Sequence, residues 1–145
     1  MYNAEISAGA LMVLETKQLA KLMLANPTKE EWRYAIEIEN ILQKKTPATA
    51  KRQAILIKKR LDLVHPEILE AIAKGDNELT LQLIFVSSLL HSQLHYDFMV
   101  KVYGEHLRRY ESHITKNAWG NFWEECAILD PNINTWSELT RNKLH

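Results

Sequence analysis

Between residues 46 and 64 the chain reads TPATAKRQAILIKKRLDLV, and this stretch decides the class of fold. Its apolar side chains recur at steps of four, three, four and three, as Ala50, Ala54, Ile57, Leu61 and Val64. That spacing predicts an amphipathic α-helix with one buried stripe. Thr46 is the expected N-cap of this helix, and Pro47 is its expected first residue, where the missing N–H costs nothing.

Helix signals of the same kind continue through the rest of the chain. Capping-box patterns begin at Thr28 and Thr135, and a first helix is expected from Ser7 to Leu24. Further helix starts are predicted at Pro66, at Asn77, at Ser92 as a break and new cap, and at Thr115 or Asn117. With only four Gly and four Pro, the chain is poor in turns. We therefore predict an all-α fold, a compact bundle of seven or eight helices forming a single domain over residues 1–145.

The composition excludes several classes of protein. A chain of 145 residues that is 46% hydrophobic can bury one proper core. Cys126 is the single cysteine, so no internal disulfide is possible, and a reducing cytoplasm is the expected location. The longest uncharged stretch, residues 79–96, carries too many polar side chains for a membrane span of about 20 apolar residues.

Charge is distributed unevenly along this neutral chain. Lys and Arg number 18, as do Asp and Glu, yet residues 41–61 contain no acidic side chain. The same segment holds seven basic residues, which are Lys44, Lys45, Lys51, Arg52, Lys58, Lys59 and Arg60. Such local asymmetry favours a surface for a polyanion, and the N-terminus of the helix that follows Thr46 adds backbone N–H groups that favour phosphate.

Two interpretations of this basic segment stay open, a solvated helix face and a phosphate-binding site. No acidic residue stands four positions from Lys51 or Arg52, whereas Lys58 has Asp62 at that distance. Helical projection places the basic side chains of residues 51–59 away from the apolar stripe. The candidate nucleic-acid-binding residues are Lys44, Lys45, Thr46, Thr49, Lys51, Arg52, Lys58 and Lys59.

Other chemistry has little support in the sequence. His91 and His95 have i, i+4 spacing but lack the Glu of the zincin pattern and a third ligand nearby, so no metal site is predicted. Cys126 follows two glutamates, which disfavour a thiolate nucleophile. The helical spacing of Trp119, Phe122 and Trp123 indicates core packing more than base stacking. We expect no catalytic residue, no cofactor, no small-molecule substrate and no enzymatic activity.

Three blocks of the chain, residues 6–24, 39–61 and 83–109, together resemble the BrxA family. The second block is the most specific, reading N-x-L-Q-K-x-T-x-x-T-A-K-R from Asn40 to Arg52 with a basic helix after it. BrxA is the small A component of bacterial BREX phage-exclusion systems, and its relatives were often labelled putative inner membrane proteins. That label disagrees with the many polar side chains in residues 79–96, the longest uncharged stretch of the chain.

The resemblance implies a fold similar to the NusB-type helical fold, binding of double-stranded DNA and a role in antiviral defence. It also implies that longer relatives continue past the position of His145 through a further helix. Other defence-system proteins are possible partners. Two alternatives stay open: a protein–protein adaptor whose basic helix meets an acidic patch, and an RNA-binding factor like NusB.

Overall fold

The computed structural model describes residues 1–145, which form helices and connecting turns without a strand. Its α-helical segments are α1 Val13–Leu24, α2 Lys29–Arg33, α3 Pro47–Leu61, α4 Pro66–Lys74, α5 Asn77–His91, α6 Gln93–Phe98, α7 Gly104–Arg108, α8 Lys116–Leu129 and α9 Glu138–Leu144. A π-helical turn, Tyr34–Ile38, extends α2, and another, Met99–Tyr103, joins α6 to α7. The chain thus has eight continuous helices, which confirms the predicted all-α class and helix number.

Several helix starts lie where the capping chemistry placed them. The Thr28 side chain accepts the Glu31 N–H and the Glu31 carboxylate accepts the Thr28 N–H, a complete capping box. Ser92 caps α6 by accepting the His95 N–H, and Thr115 caps α8. Each cap satisfies a backbone donor that the first helical turn leaves without a partner.

Other helix boundaries differ from the prediction, and two of the differences coincide with left-handed backbone conformations. Helix α1 begins at Val13 instead of Ser7, since Met12 has a φ of 52° in the left-handed region. The helix that starts after Thr28 ends at Ile38, before Asn40 with its φ of 54°. Helix α3 ends at Leu61, three residues before the predicted end.

Two helices are capped by a neighbour of the residue at which the sequence predicts the start, Thr135 for α9 and Asn77 for α5. Ser137 caps α9 by accepting the Thr140 N–H, whereas Thr135 lies in the short 3-10 helix Pro131–Thr135. The Asp76 carboxylate accepts the Leu79 N–H at 2.8 Å at the start of α5. A short polar side chain one or two positions away can thus serve as the cap in place of the predicted one.

Contacts within the chain group its residues into two compact units, and each is described by itself. The aliphatic unit comprises residues 8–91, and the aromatic unit comprises residues 1–7 and 92–145. In the aliphatic unit α1 packs most extensively on α4, around a core that includes Leu19, Ile36, Leu42, Ala54, Ile57, Leu61, Ile72 and Ile84. The single domain and the NusB-type likeness stay predictions.

Ring stacking dominates the core of the aromatic unit. The Trp119 ring lies 5.6 Å from Phe98, 5.8 Å from Phe122 and 6.2 Å from Trp123, measured between centroids. These distances are typical of packed aromatic pairs. The expectation that these rings belong to a core is therefore confirmed.

A buried polar cluster fixes the start of the chain in the aromatic unit. The Tyr2 hydroxyl donates to Asp97 at 2.5 Å, and the Tyr2 backbone N–H donates to Asp130 at 2.9 Å. Burial, and then the Asp97 hydrogen bond, raise the pKa of Tyr2 above its ordinary value. Burial also raises the pKa of Cys126, whose side chain is fully enclosed, so this thiol is in an environment that disfavours a thiolate.

Candidate nucleic-acid interface

A tight turn between α2 and α3 positions the first residues of the candidate interface. Asn40 and Gln43 both have a φ of 54°, and the Leu42 side chain is buried. The Asn40 carboxamide oxygen accepts the Lys44 N–H, and its nitrogen donates to the Lys44 carbonyl, each at 2.9 Å. Asn tolerates the left-handed conformation and bonds its local backbone, so the path into α3 is fixed. Lys45, at the end of this turn, is exposed.

The two threonines at the start of α3 are not equivalent. The Thr46 hydroxyl oxygen accepts the Thr49 N–H at 3.2 Å and its proton is donated to the Thr49 hydroxyl at 3.0 Å. Both roles of the Thr46 hydroxyl are thereby used within the cap. Thr49 keeps its own hydroxyl proton for an outside acceptor, and no acidic residue stands in the first turn of α3.

Helix α3 presents its apolar stripe inward and an arc of cations outward. The side chains of Ala50, Ala54, Ile57 and Leu61 are buried, which confirms four of the five positions of the predicted stripe, whereas Val64 lies beyond the helix and is half-buried. The exposed basic side chains are Lys51, Arg52, Lys58 and Lys59. Residues seven apart nearly coincide on a helix, so Lys51 and Lys58 form one row of this arc, and Arg52 and Lys59 form the next.

Lys44 is held by an acidic residue distant in sequence. Its ammonium lies 2.7 Å from the Glu15 carboxylate, and both side chains are about four-fifths enclosed, with relative exposures of 20% and 21%. Burial acts to raise the pKa of Glu15, but the Lys44 hydrogen bond and a backbone hydrogen bond bring the net pKa below its ordinary value. Lys44 is therefore balanced inside the aliphatic unit.

Arg60 belongs to the core and not to the exposed arc. Only 2% of its surface is accessible, and its guanidinium donates to the carbonyls of Ala10 at 2.7 Å and Gly9 at 3.4 Å. Burial lowers the pKa of Arg60 to about 10, so the group is still cationic at neutral pH. It ties α3 to the loop before α1.

Trp32 of α2 lies beside the candidate residues, although it is not among the residues that the sequence predicts for this interface. The half-buried indole packs on the edge of the aliphatic core and lines two cavities between α2 and α3. One cavity, of about 500 Å³, also contacts Lys58, and the other, of about 410 Å³, contacts Lys51. Lys29 lines both cavities together with Trp32. Residues three apart are neighbours on a helix, so the spacing of Lys29 and Trp32 is the sequence signal that the two side chains lie together.

The two histidines with i, i+4 spacing lie on different helices. His91 ends α5 and His95 lies in α6, on either side of the helix break at Ser92. No group of three or more His, Cys, Asp or Glu side chains is arranged to hold a metal ion. No helix has the length and apolar character needed to cross a membrane.

A sequence profile of the BrxA family matches residues 1–145, the whole chain. A protein named BREX protein BrxA from Paramagnetospirillum magneticum (strain ATCC 700264 / AMB-1) is 35% identical over 99% of this chain and 72% of its own length. The chain belongs to the BrxA family. It is therefore a component of a BREX phage-exclusion system, a form of antiviral defence.

A second named relative and a solved structure are also similar to this chain. BREX protein BrxA from Escherichia coli O9:H4 (strain HS) is 31% identical over 97% of this chain, which spans 66% of that protein. The crystal structure of an uncharacterized protein from Magnetospirillum magneticum matches with a TM-score of 0.86 and 32% identity, over 99% of this chain and 74% of that one. The fold described above is thus found in a solved structure.

Proposed function

We propose that this BrxA-family chain is a non-enzymatic DNA-binding component of its BREX system, located in the cytoplasm. The observation that supports the proposal is the exposed arc of α3, where Lys51, Arg52, Lys58 and Lys59 follow a helix N-terminus without acidic residues. The positive end of the helix dipole and the backbone N–H groups add to the cations in attracting phosphate. Double-stranded DNA is the proposed ligand, and other defence-system proteins are proposed partners.

The geometry divides the candidate residues by role. Lys45, Lys51, Arg52, Lys58 and Lys59 are exposed, which supports a role for them as phosphate contacts, with Thr49 as a proposed hydroxyl donor. Lys58 lies 2.8 Å from Asp62, an exposed pair that costs little to open. Thr46 serves mainly as the cap, and Lys44 contributes only when its contact with Glu15 opens. Contacts of this type fix the register of a protein on DNA without reading its sequence.

A salt titration of duplex DNA binding tests this proposal. Counterion release gives a log–log slope near −0.9 per neutralised phosphate on B-DNA, so four or five contacts predict a slope of about −3.5 to −4.5. Changing Lys51 and Arg52 together to Glu should weaken binding to every sequence alike and make the slope shallower by about 2. The fold should be retained, because both side chains are exposed.

A matched control is the pair Arg141 and Lys143 changed to Glu, which alters the net charge equally on α9. This control should keep the parent's slope. A Lys51/Arg52 variant that binds duplex DNA as tightly as the parent, with the same slope, would show that α3 is not the contact surface. Absence of binding to duplex DNA, duplex RNA and single strands at low salt would favour the adaptor alternative, and a preference for duplex RNA would favour the NusB-like one.

A further inference from the structure

Trp32 has an environment unlike that of the other tryptophans. Trp119, Trp123 and Trp136 lie in ring–ring contacts in the aromatic unit, with centroids about 6 Å apart. The Trp32 indole makes no contact with another ring and is half-buried at the edge of the aliphatic core. Its ring is therefore held in place by aliphatic packing while part of it still faces the groove between α2 and α3.

The groove has room for organic rings beside this indole. Cavities of about 500 Å³ and about 410 Å³ share Trp32 and Lys29 as lining residues. Met23 and Pro27 give the first an apolar wall, and Ile55 gives one to the second. Both volumes fall within the roughly 300–1,000 Å³ of clefts that bind small organic groups.

The charge of the groove specifies the kind of ligand. Arg33 pairs with Glu37 at 2.7 Å and Lys58 pairs with Asp62, so these cations are balanced. Lys29 and Lys51 are both exposed, and neither ammonium is in an ion pair. An apolar aromatic platform beside unbalanced cations is the combination that holds unpaired nucleotides, with bases on the ring and phosphates on the ammonium groups.

The opposite side of the same helix provides a contrast. A cavity of about 590 Å³ there is lined by Tyr34 together with Glu30, Glu31 and Glu39. It also offers an aromatic ring and a wide opening, but its carboxylates repel phosphate. The two sides of α2 therefore separate an anion-accepting groove from an anion-rejecting one.

From these observations we infer that the groove between α2 and α3 binds an unpaired nucleotide, whose base stacks on Trp32 and whose phosphates meet Lys29 and Lys51. The inference rests on the proposed nucleic-acid binding, because Lys51 belongs both to the groove and to the exposed arc of α3. It adds a preference for strands with at least one accessible base. An acidic peptide carrying a large apolar side chain is the competing occupant.

Binding of three DNA probes by the parent and by Trp32→Leu tests the inference. The probes are a mixed-sequence single strand of about 12 nucleotides, the same strand in a duplex, and an abasic strand of equal length. Stacking on an aromatic side chain contributes about 1–3 kcal/mol per base, so Trp32→Leu should weaken single-strand binding roughly 5- to 150-fold. Binding of the duplex and of the abasic strand should not change, because neither presents an unpaired base.

Two variants guard this test against effects on folding. Trp32→Phe keeps a stacking ring and should retain most of the single-strand affinity, and Tyr34→Leu removes an exposed ring from the acidic side of the same helix without effect. Lys29→Gln, an exposed change, should make the single-strand salt slope shallower by about 0.7. Together these results would support the groove as the site.

Equal single-strand affinity of Trp32→Leu and the parent would overturn the inference. If duplex binding still depended on Lys51 and Arg52, the proposed function would stand without it. The groove would instead be a peptide site if two results were found together. The parent would bind a glutamate-rich peptide with one Trp, and Trp32→Leu would abolish peptide binding while leaving DNA binding unchanged. Failure of the parent to bind any of the DNA probes at low salt would overturn both proposals.

Discussion

The exposed and the buried sides of α3 both carry basic residues, although the sequence presents these residues as one uninterrupted cluster. Lys59 is exposed, while its neighbour Arg60 is 2% accessible and donates to two backbone carbonyls about fifty positions earlier. One residue step turns a helix by about 100°, which is enough to move a cation from solvent to the core. The difference teaches that a basic run in the sequence gives the number of positive charges but not which of these side chains are exposed to a ligand.

Several of the seven basic residues in the segment are engaged within the fold. Arg60 is buried, Lys44 pairs with Glu15, and Lys58 pairs with Asp62. These engagements differ in strength, because a buried cation with hydrogen-bonded partners is costly to disrupt, whereas an exposed pair contributes about 0–1 kcal/mol. The contrast between the two sides of α3 can therefore be tested one residue at a time.

The largest effect is expected from removing the apolar support of α3. Ile57 is fully buried, so Ile57→Ala should lower the free energy of unfolding by about 2–5 kcal/mol, measured by urea denaturation. Ile55 is 48% exposed on the same helix, and Ile55→Ala should change stability by less than about 0.5 kcal/mol. Similar losses for the two variants would mean that the two sides of α3 are not distinct.

A smaller loss of stability is expected at Arg60. Arg60→Met should destabilise the fold by about 1.5–3 kcal/mol, because the Ala10 carbonyl loses a charge-assisted hydrogen bond, and the DNA salt slope should not change. Lys59→Met is the matched control, since it removes an exposed cation one position away. That control should make the slope shallower by about 0.9 and cost less than about 1 kcal/mol. A shallower slope for Arg60→Met would contradict its assignment to the core.

The smallest effect concerns the ion pair between Glu15 and Lys44. Glu15→Gln removes the carboxylate that balances Lys44, so duplex DNA should bind a few-fold more tightly, with a slope steeper by up to about 0.9. Glu78→Gln changes the net charge equally at an exposed position of α5 and should have less effect. Equal gains from both variants would assign the effect to net charge alone.

The same variant has a pH signature. Because the pKa of Glu15 is lowered in the folded state, its contribution to stability is present above its unfolded pKa and is lost as the pH falls through the folded value. Glu15→Gln should therefore flatten part of the acid limb of the stability curve, measured by denaturation between about pH 5 and pH 2.

Local patterns in the sequence predicted the parts of the fold that local chemistry decides. The buried stripe of α3, the Thr28 capping box and the exposure of Lys51 and Arg52 follow from spacing alone. The burial of Arg60 depends on carbonyls in a loop distant in sequence, and the ion pair of Lys44 depends on Glu15, 29 positions away. Such partners lie beyond the i±4 neighbours that helical periodicity describes.

The location of Trp32 beside the candidate interface has the same physical origin. Its helical spacing matches that of the buried Ala35 and Ile36, and the indole does pack on the core, but part of the ring is left facing a groove. Periodicity gives the direction of a side chain from its helix axis and not the depth at which the helix is buried. The helix ends at Met12 and Asn40 were likewise decided by left-handed backbone conformations that apolar spacing does not encode.

The π-helical turn Tyr34–Ile38 bears on how the length of this region should be compared among relatives. A π-helical turn accommodates one residue more than an α-helical turn, and most such turns interrupt an otherwise continuous α-helix. A relative with one residue fewer here can complete the same turn as an ordinary α-helix, so the residues after it would keep their direction relative to Trp32. A one-residue gap in an alignment at this point would thus mark the loss of the wide turn, with the direction of the chain that leads into α3 retained.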